Sequence, residues 1–316
     1  MIKKTDVIIV GGGPAGAACA LALRRSGADC LVLDQATFPR IKPCAGWITP
    51  SVIKSLGAVI SDYPYGITHY KRFQVVIKRW KFGLNTDQYA IRRVEFDQWL
   101  LRQAGVPVEQ HTVRTIESSP DGYTIDGEYF GNHLVGAGGT YCPVFRNLFK
   151  STPNRDRCRL IIAMEDEFRY PHNQKQCRLW FLQDRLPGYA WFVPKANNII
   201  NVGVGGSAAQ IKARGDGLKR HWQRLVEKLD TIGLVSDHDY HPIAHSYYLR
   251  QRQTVVQRER AYLVGDAAGL ATRDMGEGIG TAIASGMRAA TAILEDGEYR
   301  LDGIGSYSWL SLLGFR

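Results

Sequence analysis

Nowhere does this chain of 316 residues carry an uninterrupted apolar run of roughly twenty residues, the length a membrane-spanning helix requires. Cysteine is sparse: the six, at positions 19, 30, 44, 142, 158 and 177, form no C-x-x-C pair and no zinc spacing with histidine, so neither a disulfide scaffold nor a structural zinc is signalled. A reducing, cytoplasmic setting fits that usage. Acidic residues are the minority, 30 against 40 Lys and Arg for a net charge of +10. That balance favours anionic partners such as a phosphate-rich cofactor, an acidic redox protein or an anionic membrane surface. The basic residues are scattered and no nucleic-acid module accompanies them, so nucleic acid is set aside. Internal repeats and low-complexity tracts are missing too. Lys3-Lys4 before an apolar stretch imitates a secretory leader, but Asp6, Gly11 to Gly13 and Pro14 interrupt it, and the segment reads as mature structure. The expected protein is cytoplasmic, with peripheral membrane contact left open.

What is there begins with Thr5-Asp6-Val7-Ile8-Ile9-Val10, an apolar run ending in glycine that reads as a buried parallel strand. Pro14 to Arg25 carries Ala and Leu at helical spacing and stops at Gly27, and Cys30-Leu31-Val32-Leu33-Asp34 is a second strand. Such a β-α-β unit starts a doubly wound sheet. Residues 68–91 alternate as antiparallel strands do, and Val94 to Gly105 reads as a helix. Between Arg159 and Val256 come further strands, with a helix from about Ser207 to Leu229. Parallel-strand character returns at Tyr262-Leu263-Val264-Gly265-Asp266, followed by a small-residue helix from Gly276 to Leu294. The expected fold is α/β, a Rossmann-type domain (1–60, 93–150 and 257–316) with an inserted, mainly antiparallel β-sheet substrate lobe (61–92 and 151–256).

Gly11, Gly13 and Gly16 form G-x-G-x-x-G between strand and helix, and Asp34 closes the second strand. Gly11 permits the tight turn, Gly13 lets backbone approach a pyrophosphate, and Gly16 allows close helix-to-strand packing. Helix N-termini attract phosphate, and an acid at Asp34 suits ribose hydroxyls while disfavouring a 2′-phosphate. FAD or NAD follows.

Residues 262–280, YLVGDAAGLATRDMGEGIG, resemble the second FAD signature of the glutathione-reductase-type flavoproteins, in their hydroxylase and geranylgeranyl reductase branch. Phe38-Pro39-Arg40-Ile41-Lys42-Pro43-Cys44-Ala45-Gly46 resembles the F-P-R-x-K-x-C-[AG]-G stretch of geranylgeranyl reductases, and Arg92 to Asp97 resembles their R-x-x-F-D helix start. The resemblance covers nearly the whole chain. It implies FAD, with Asp266 on the ribityl chain and the helix after Gly276 and Gly278 facing the pyrimidine edge of the flavin. The implied cofactor set is Gly11, Gly13, Pro14, Ala15, Gly16, Asp34, Arg40, Cys44, Ala45, Arg93, Val113, Gly265, Asp266, Gly276, Gly278 and Ile279.

Gly188-Tyr189-Ala190-Trp191-Phe192-Val193-Pro194 resembles the family's Y-x-W-x-F-P element. In an extended segment Tyr189 and Trp191 share one face and suit an apolar wall over the flavin. Cys44 matches a cysteine on the substrate side. Saturating a carbon–carbon double bond needs a hydride and a proton, so Cys44 and Tyr189 are the candidate proton donors, and Cys44, Tyr189 and Trp191 form the expected catalytic group. No metal is expected: His238, His241 and His245 carry helical ligand spacing, but Pro242 breaks that helix and they read as loop histidines.

The chain departs from the pattern as well. Gly138 stands where the family carries Asp, and Cys142 where it carries Ser, which leaves the external electron donor open between NAD(P)H and an acidic redox protein. The expected function is reduction of a double bond in an apolar or prenylated substrate. A monooxygenase acting on an aromatic or polyketide substrate and a non-catalytic flavin electron-transfer subunit are the alternatives.

Overall fold

A computed structural model of the chain describes residues 1–153, 155–252 and 254–308. The chain opens with strand β1 (Lys3–Val10), helix α1 (Pro14–Arg25) and strand β2 (Cys30–Asp34). Pro14 suits the first helical turn, where its missing N–H would have no intrahelical partner. Strand β3 (Trp47–Ile48) and helix α2 (Pro50–Ser55) lead to the long hairpin β4 (Thr68–Ile77) and β5 (Trp80–Ala90). Helix α3 (Arg93–Ala104) then returns the chain to strand β6 (Val108–Gln110), a meander of β7 (Ile116–Ser119) and β8 (Gly122–Ile125), and β9 (Tyr129–Gly136).

The second half contributes β10 (Leu160–Arg169), β11 (Cys177–Phe181), β12 (Gly188–Lys195) and β13 (Ile199–Ser207). Helices α4 (Ala208–Ala213) and α5 (Leu218–Thr231) follow, where the sequence suggested one helix; Gly215, at φ +62°, and Gly217 break it. Strands β14 (Ile243–Tyr248), β15 (Gln257–Arg258) and β16 (Ala261–Leu263) precede helix α6 (Ile279–Leu294). Helix α6 starts three residues later than the sequence suggested, because Gly276 takes φ +67° and Gly278 is the N-cap.

Two sheets result. The first has the order β15-β16-β9-β1-β2-β6, with β8 and β7 added beyond β9, and β16, β9, β1, β2 and β6 run parallel. The second has the order β14-β10-β13-β12-β11-β4-β5-β3 and is antiparallel except where β11 meets β4. Trp47 and Ile48 therefore belong to the second sheet. His245 likewise lies on β14, not in a loop. Phe96 and Phe149 are fully buried in the first core and Phe73 and Phe192 in those of the second sheet, each worth roughly 1.5–3 kcal/mol of burial. Helices α1 and α6 pack directly together: a Cβ on Gly286 would collide with the carbonyl of Ala15.

Candidate functional site

The turn after β1 is closed so tightly that only glycine fits. A Cβ on Gly11, which sits at φ +113°, would stand 2.5 Å from the carbonyl oxygen of Ala137, and one on Gly16 would collide with the carbonyl of Gly11. Gly13 differs: its backbone is ordinary extended chain, and its bare face looks toward the guanidinium of Arg40, 3.2 Å from where a Cβ would lie. Asp34 ends β2 with its carboxylate accepting from the N–H of Gly12 at 2.7 Å and of Ala36 at 2.9 Å. Val113 and Ala15 are buried in the first core, and Pro14 is buried at the start of α1.

Arginines at a helix start oppose the macrodipole, and α3 begins with two, each matched by acids. Arg93 forks onto Asp97 at 2.7 and 2.8 Å, and Arg40 reaches the same buried carboxylate at 3.5 Å while covering the ring of Phe38. Arg92 bonds Glu167 at 2.8 Å and Glu95 at 3.1 Å. Lys195, buried on β12, donates to Glu167 at 2.6 Å and to the carbonyl of Ile91 at 2.8 Å. These contacts fasten the second sheet to α3. Gly46 is fastened there too, its carbonyl accepting from Ile91 N–H at 2.9 Å.

Cys44 therefore sits on a loop held against α3. Its sulfur accepts from the N–H of Gly46 at 3.4 Å and lies within reach of the Arg93 guanidinium. Burial pushes the thiol above its ordinary pKa, against the opposing pull of Arg93, so it is protonated at neutral pH. Behind it, Asn201 on β13 donates toward the carbonyl of Cys44 and toward Glu165, both at 3.5 Å, and accepts from Trp191 Nε1 at 2.7 Å. The other oxygen of Glu165 has no hydrogen-bond partner among the described residues, and burial pushes that carboxyl up to about 7. Asn201 and Glu165 were not singled out by the sequence; alternation along β10 and β13 is the one signal that would have placed them on this face.

Register puts Tyr189, Trp191 and Val193 opposite Gly205, Gly203 and Asn201. With glycine at 203, the Trp191 indole lies against bare backbone; a Cβ there would overlap its ring. Trp191 is 5% exposed and its N–H is taken by Asn201. Tyr189 and Trp191 do share a face, with ring centroids 5.7 Å apart. The Tyr189 hydroxyl donates to the carbonyl of Met275 at 2.6 Å, which ties β12 to the loop before α6. Tyr247 crowds the bare face of Gly276 from the other side.

In that loop, Glu277 donates its N–H to Thr272 Oγ1 at 2.9 Å and burial holds its carboxyl up near 7. Ile279 begins α6, and Asp266 in the Gly265–Ala268 turn has a carboxylate oxygen 3.4 Å from where a Cβ of Gly278 would stand. Neither Gly13 nor Gly278 caps its helix with a side chain, so both N-termini keep amide donors for a ligand. The implied flavin dinucleotide fits: a glycine cradle and uncapped helix for the pyrophosphate, an acid at the end of β2 for a ribose, and a second uncapped helix beside Asp266. Ala45 adjoins Cys44 and packs against the apolar cluster of the second sheet.

The FAD binding domain family matches residues 4–59. An uncharacterized protein of Methanosarcina barkeri is 32% identical, across 92% of this chain and 75% of its own. A menaquinone reductase of Mycobacterium tuberculosis is 30% identical across 64% of this chain, which spans about half, 55%, of that enzyme's length. Among solved structures, a geranylgeranyl bacteriochlorophyll reductase-like protein of Thermoplasma acidophilum superposes with a TM-score of 0.82 over 93% of this chain and 79% of its own, at 21% identity. No helix among the described residues is long and apolar enough to cross a membrane. The protein is an FAD-dependent oxidoreductase, and the chain belongs to one family with the Methanosarcina barkeri protein, sharing the fold of the geranylgeranyl bacteriochlorophyll reductase-like protein.

Proposed function

We propose that this protein saturates a carbon–carbon double bond in an apolar, prenylated substrate. The observation that carries the reading is the placement of the Cys44 thiol, on a loop held against α3 beside the apolar face that Tyr189 and Trp191 present. FAD, when bound and reduced, supplies the hydride. The remaining requirement is a proton, and here the two sequence candidates separate. Tyr189 has committed its hydroxyl hydrogen to Met275 O, so it orients the loop ahead of α6, whereas Cys44 keeps its proton and faces Arg93. Trp191 acts as wall and packing, its single polar atom being satisfied.

For the cofactor, Gly13 and the start of α1 would take the pyrophosphate, and Asp34, whose carboxylate has lone pairs beyond its two backbone contacts, would accept from the ribose. Arg40 and Arg93, steadied by Asp97, would hold the dinucleotide. The names of the matched menaquinone and geranylgeranyl reductases support a substrate with a prenyl chain. The electron donor is proposed to be a protein of acidic surface.

The test is anaerobic. Protein reduced with dithionite is mixed with a panel of prenyl lipids and aromatics, and the return of the oxidised flavin band is followed together with product mass. Reoxidation by a prenyl lipid with a gain of two hydrogens is expected. Reoxidation only on admitting oxygen, with labelled oxygen in the product, would assign a monooxygenase. Reversible reduction with no product from any substrate would assign an electron-transfer subunit.

A further inference from the structure

The hairpin of β4 and β5 turns at one end of the second sheet, with β11 paired along β4 as far as Ile77, and its composition changes along its length. Cross-strand register pairs Phe73 with Leu84, Val75 with Phe82, and Ile77 with Trp80, so all six lie on one face. At the base, Phe73 and Val75 are buried; at the tip, Phe82 is 45% and Trp80 68% exposed, with Ile77 beside them. Leu182, 53% exposed, is brought up alongside, since Gln183 donates to the carbonyl of Lys78 at 3.1 Å. Exposed aromatics on a twisted hairpin tip are energetically unfavourable in water and cluster here for a reason.

The charge on the tip is of one sign. From residue 63 to residue 86 the chain holds no acid, and Lys78, Arg79 and Lys81 stand at the turn. Asp184, the acid on the neighbouring turn, faces Lys228. Arg79 lies over the ring of Trp80 at 5.7 Å. Large apolar side chains ringed by Lys and Arg stems match the boundary of an anionic bilayer, where rings enter the headgroup layer and the cations meet lipid phosphates.

We propose that the β4–β5 tip docks this protein on an anionic phospholipid bilayer through Ile77, Trp80 and Phe82, with Lys78, Arg79 and Lys81 on the phosphates. The apolar face continues inward from there. Ile77 on β4 neighbours Phe181 on β11, which neighbours Tyr189 on β12, and the last two rings lie 5.1 Å apart. A row of apolar side chains on one sheet face thus joins the tip to Tyr189, the track that a lipid tail from the bilayer would follow. The track rests on the proposed prenylated substrate; the docking itself rests on the tip alone.

The FAD-loaded protein is floated with vesicles of phosphatidylcholine alone and of phosphatidylcholine with phosphatidylglycerol. Binding to the anionic vesicles only is expected, weakening as salt rises from about 0.05 to 0.5 M. The double variant Trp80→Ala, Phe82→Ala and the triple variant Lys78→Glu, Arg79→Glu, Lys81→Glu should each bind about tenfold or more weakly. Both should keep full FAD content and melting temperature. Brominated lipid should quench indole fluorescence in the wild type, and markedly less in Trp80→Phe. A wild type that floats with neither vesicle, or variants that float as it does, would overturn the docking. So would a dimer that the double variant splits in sedimentation velocity, because a second copy would then cover the tip. Docking without any double-bond reduction refutes the functional reading and leaves the docking standing; turnover in detergent without docking does the reverse.

Discussion

Arg93 grips Asp97 one helical turn ahead through two N–H contacts at 2.7 and 2.8 Å, and the same carboxylate is the anchor of Arg40 at 3.5 Å. One buried acid thus steadies an arginine on each side of the proposed cofactor path, the side facing Gly13 and the side facing Cys44.

Replacing it is expected to be severe. Asp97→Asn leaves two guanidinium groups short of their counter-charge at a fully buried position, and breaking a buried pair in this way destabilises by about 3–5 kcal/mol. Urea denaturation followed by circular dichroism should show that loss, with weakened retention of FAD. A variant of wild-type midpoint and full flavin content would remove Asp97 from this role.

Gly13→Val separates cofactor binding from folding. Because Gly13 has an extended backbone and only a mobile arginine tip ahead of it, the chain should fold while the isopropyl group obstructs the pyrophosphate. The expected purified variant is colourless with a normal far-ultraviolet spectrum. A folded variant with stoichiometric FAD would show that the phosphates lie elsewhere.

Cys44 and Tyr189 should fail differently. Cys44→Ala removes the proposed proton and should slow reoxidation by substrate about 10²–10⁴-fold, the usual contribution of a positioned acid, with dithionite reduction unchanged. Tyr189→Phe frees the Met275 carbonyl and should act through the loop, with a smaller fall in kcat and FAD retained. Trp191→Ala should chiefly destabilise, by about 3–5 kcal/mol as a large-to-small core change, because its ring is buried on Gly203. Equal loss of turnover in all three would dissolve the distinction.

How much of this was legible in the sequence follows from how local each determinant is. The β1-turn-α1-β2 unit announces itself because its glycines, its apolar strand and Asp34 are contiguous. The face around Cys44 does not: Asn201, Glu165 and Cys44 are far apart in the chain and meet only through the register of β10 with β13 and the return of α3. Charge-bearing residues in strands look like solvent-facing positions until the sheet is covered, which is why Glu165 and Lys195 passed unremarked. The late start of α6 was equally hidden, because small residues before a helix satisfy helical spacing as well as a turn does.

Glu165 makes stability depend on pH. Its carboxyl is raised from 4.5 to about 7 by burial, so between those values the native chain holds a proton that the unfolded chain has released. Stability from this group is therefore fully present below about pH 4.5 and lost as pH rises through 7, a swing on the order of 3 kcal/mol. Glu165→Gln removes the swing, while Glu277, raised similarly, is common to both proteins and cancels. Urea midpoints at pH 5 and pH 8 should show the wild type losing stability relative to the variant at the higher pH. Parallel midpoints would mean that Glu165 is ionised in the native state.

The electron donor turns on Gly138. It caps the short turn Gly139–Tyr141, and a Cβ there would stand 3.2 Å from Cys142 Cα and 3.3 Å from Pro143 Cδ. The acid that the family resemblance calls for would start in tight contact with Cys142 and Pro143, which would have to give by a few tenths of an ångström to admit it. If the acid is part of how a nicotinamide is handled, NADH and NADPH should reduce the flavin slowly, and Gly138→Asp should raise the rate as far as Cys142 and Pro143 give way to it. With a net charge of +10, the chain should instead be reduced readily by a one-electron donor protein of acidic surface, at a rate that falls as salt screens their attraction. Anaerobic stopped-flow bleaching of the flavin band, with each donor in turn and at two salt concentrations, decides the matter. Fast reduction by NADPH that ignores salt would show that Gly138 has no bearing on the donor.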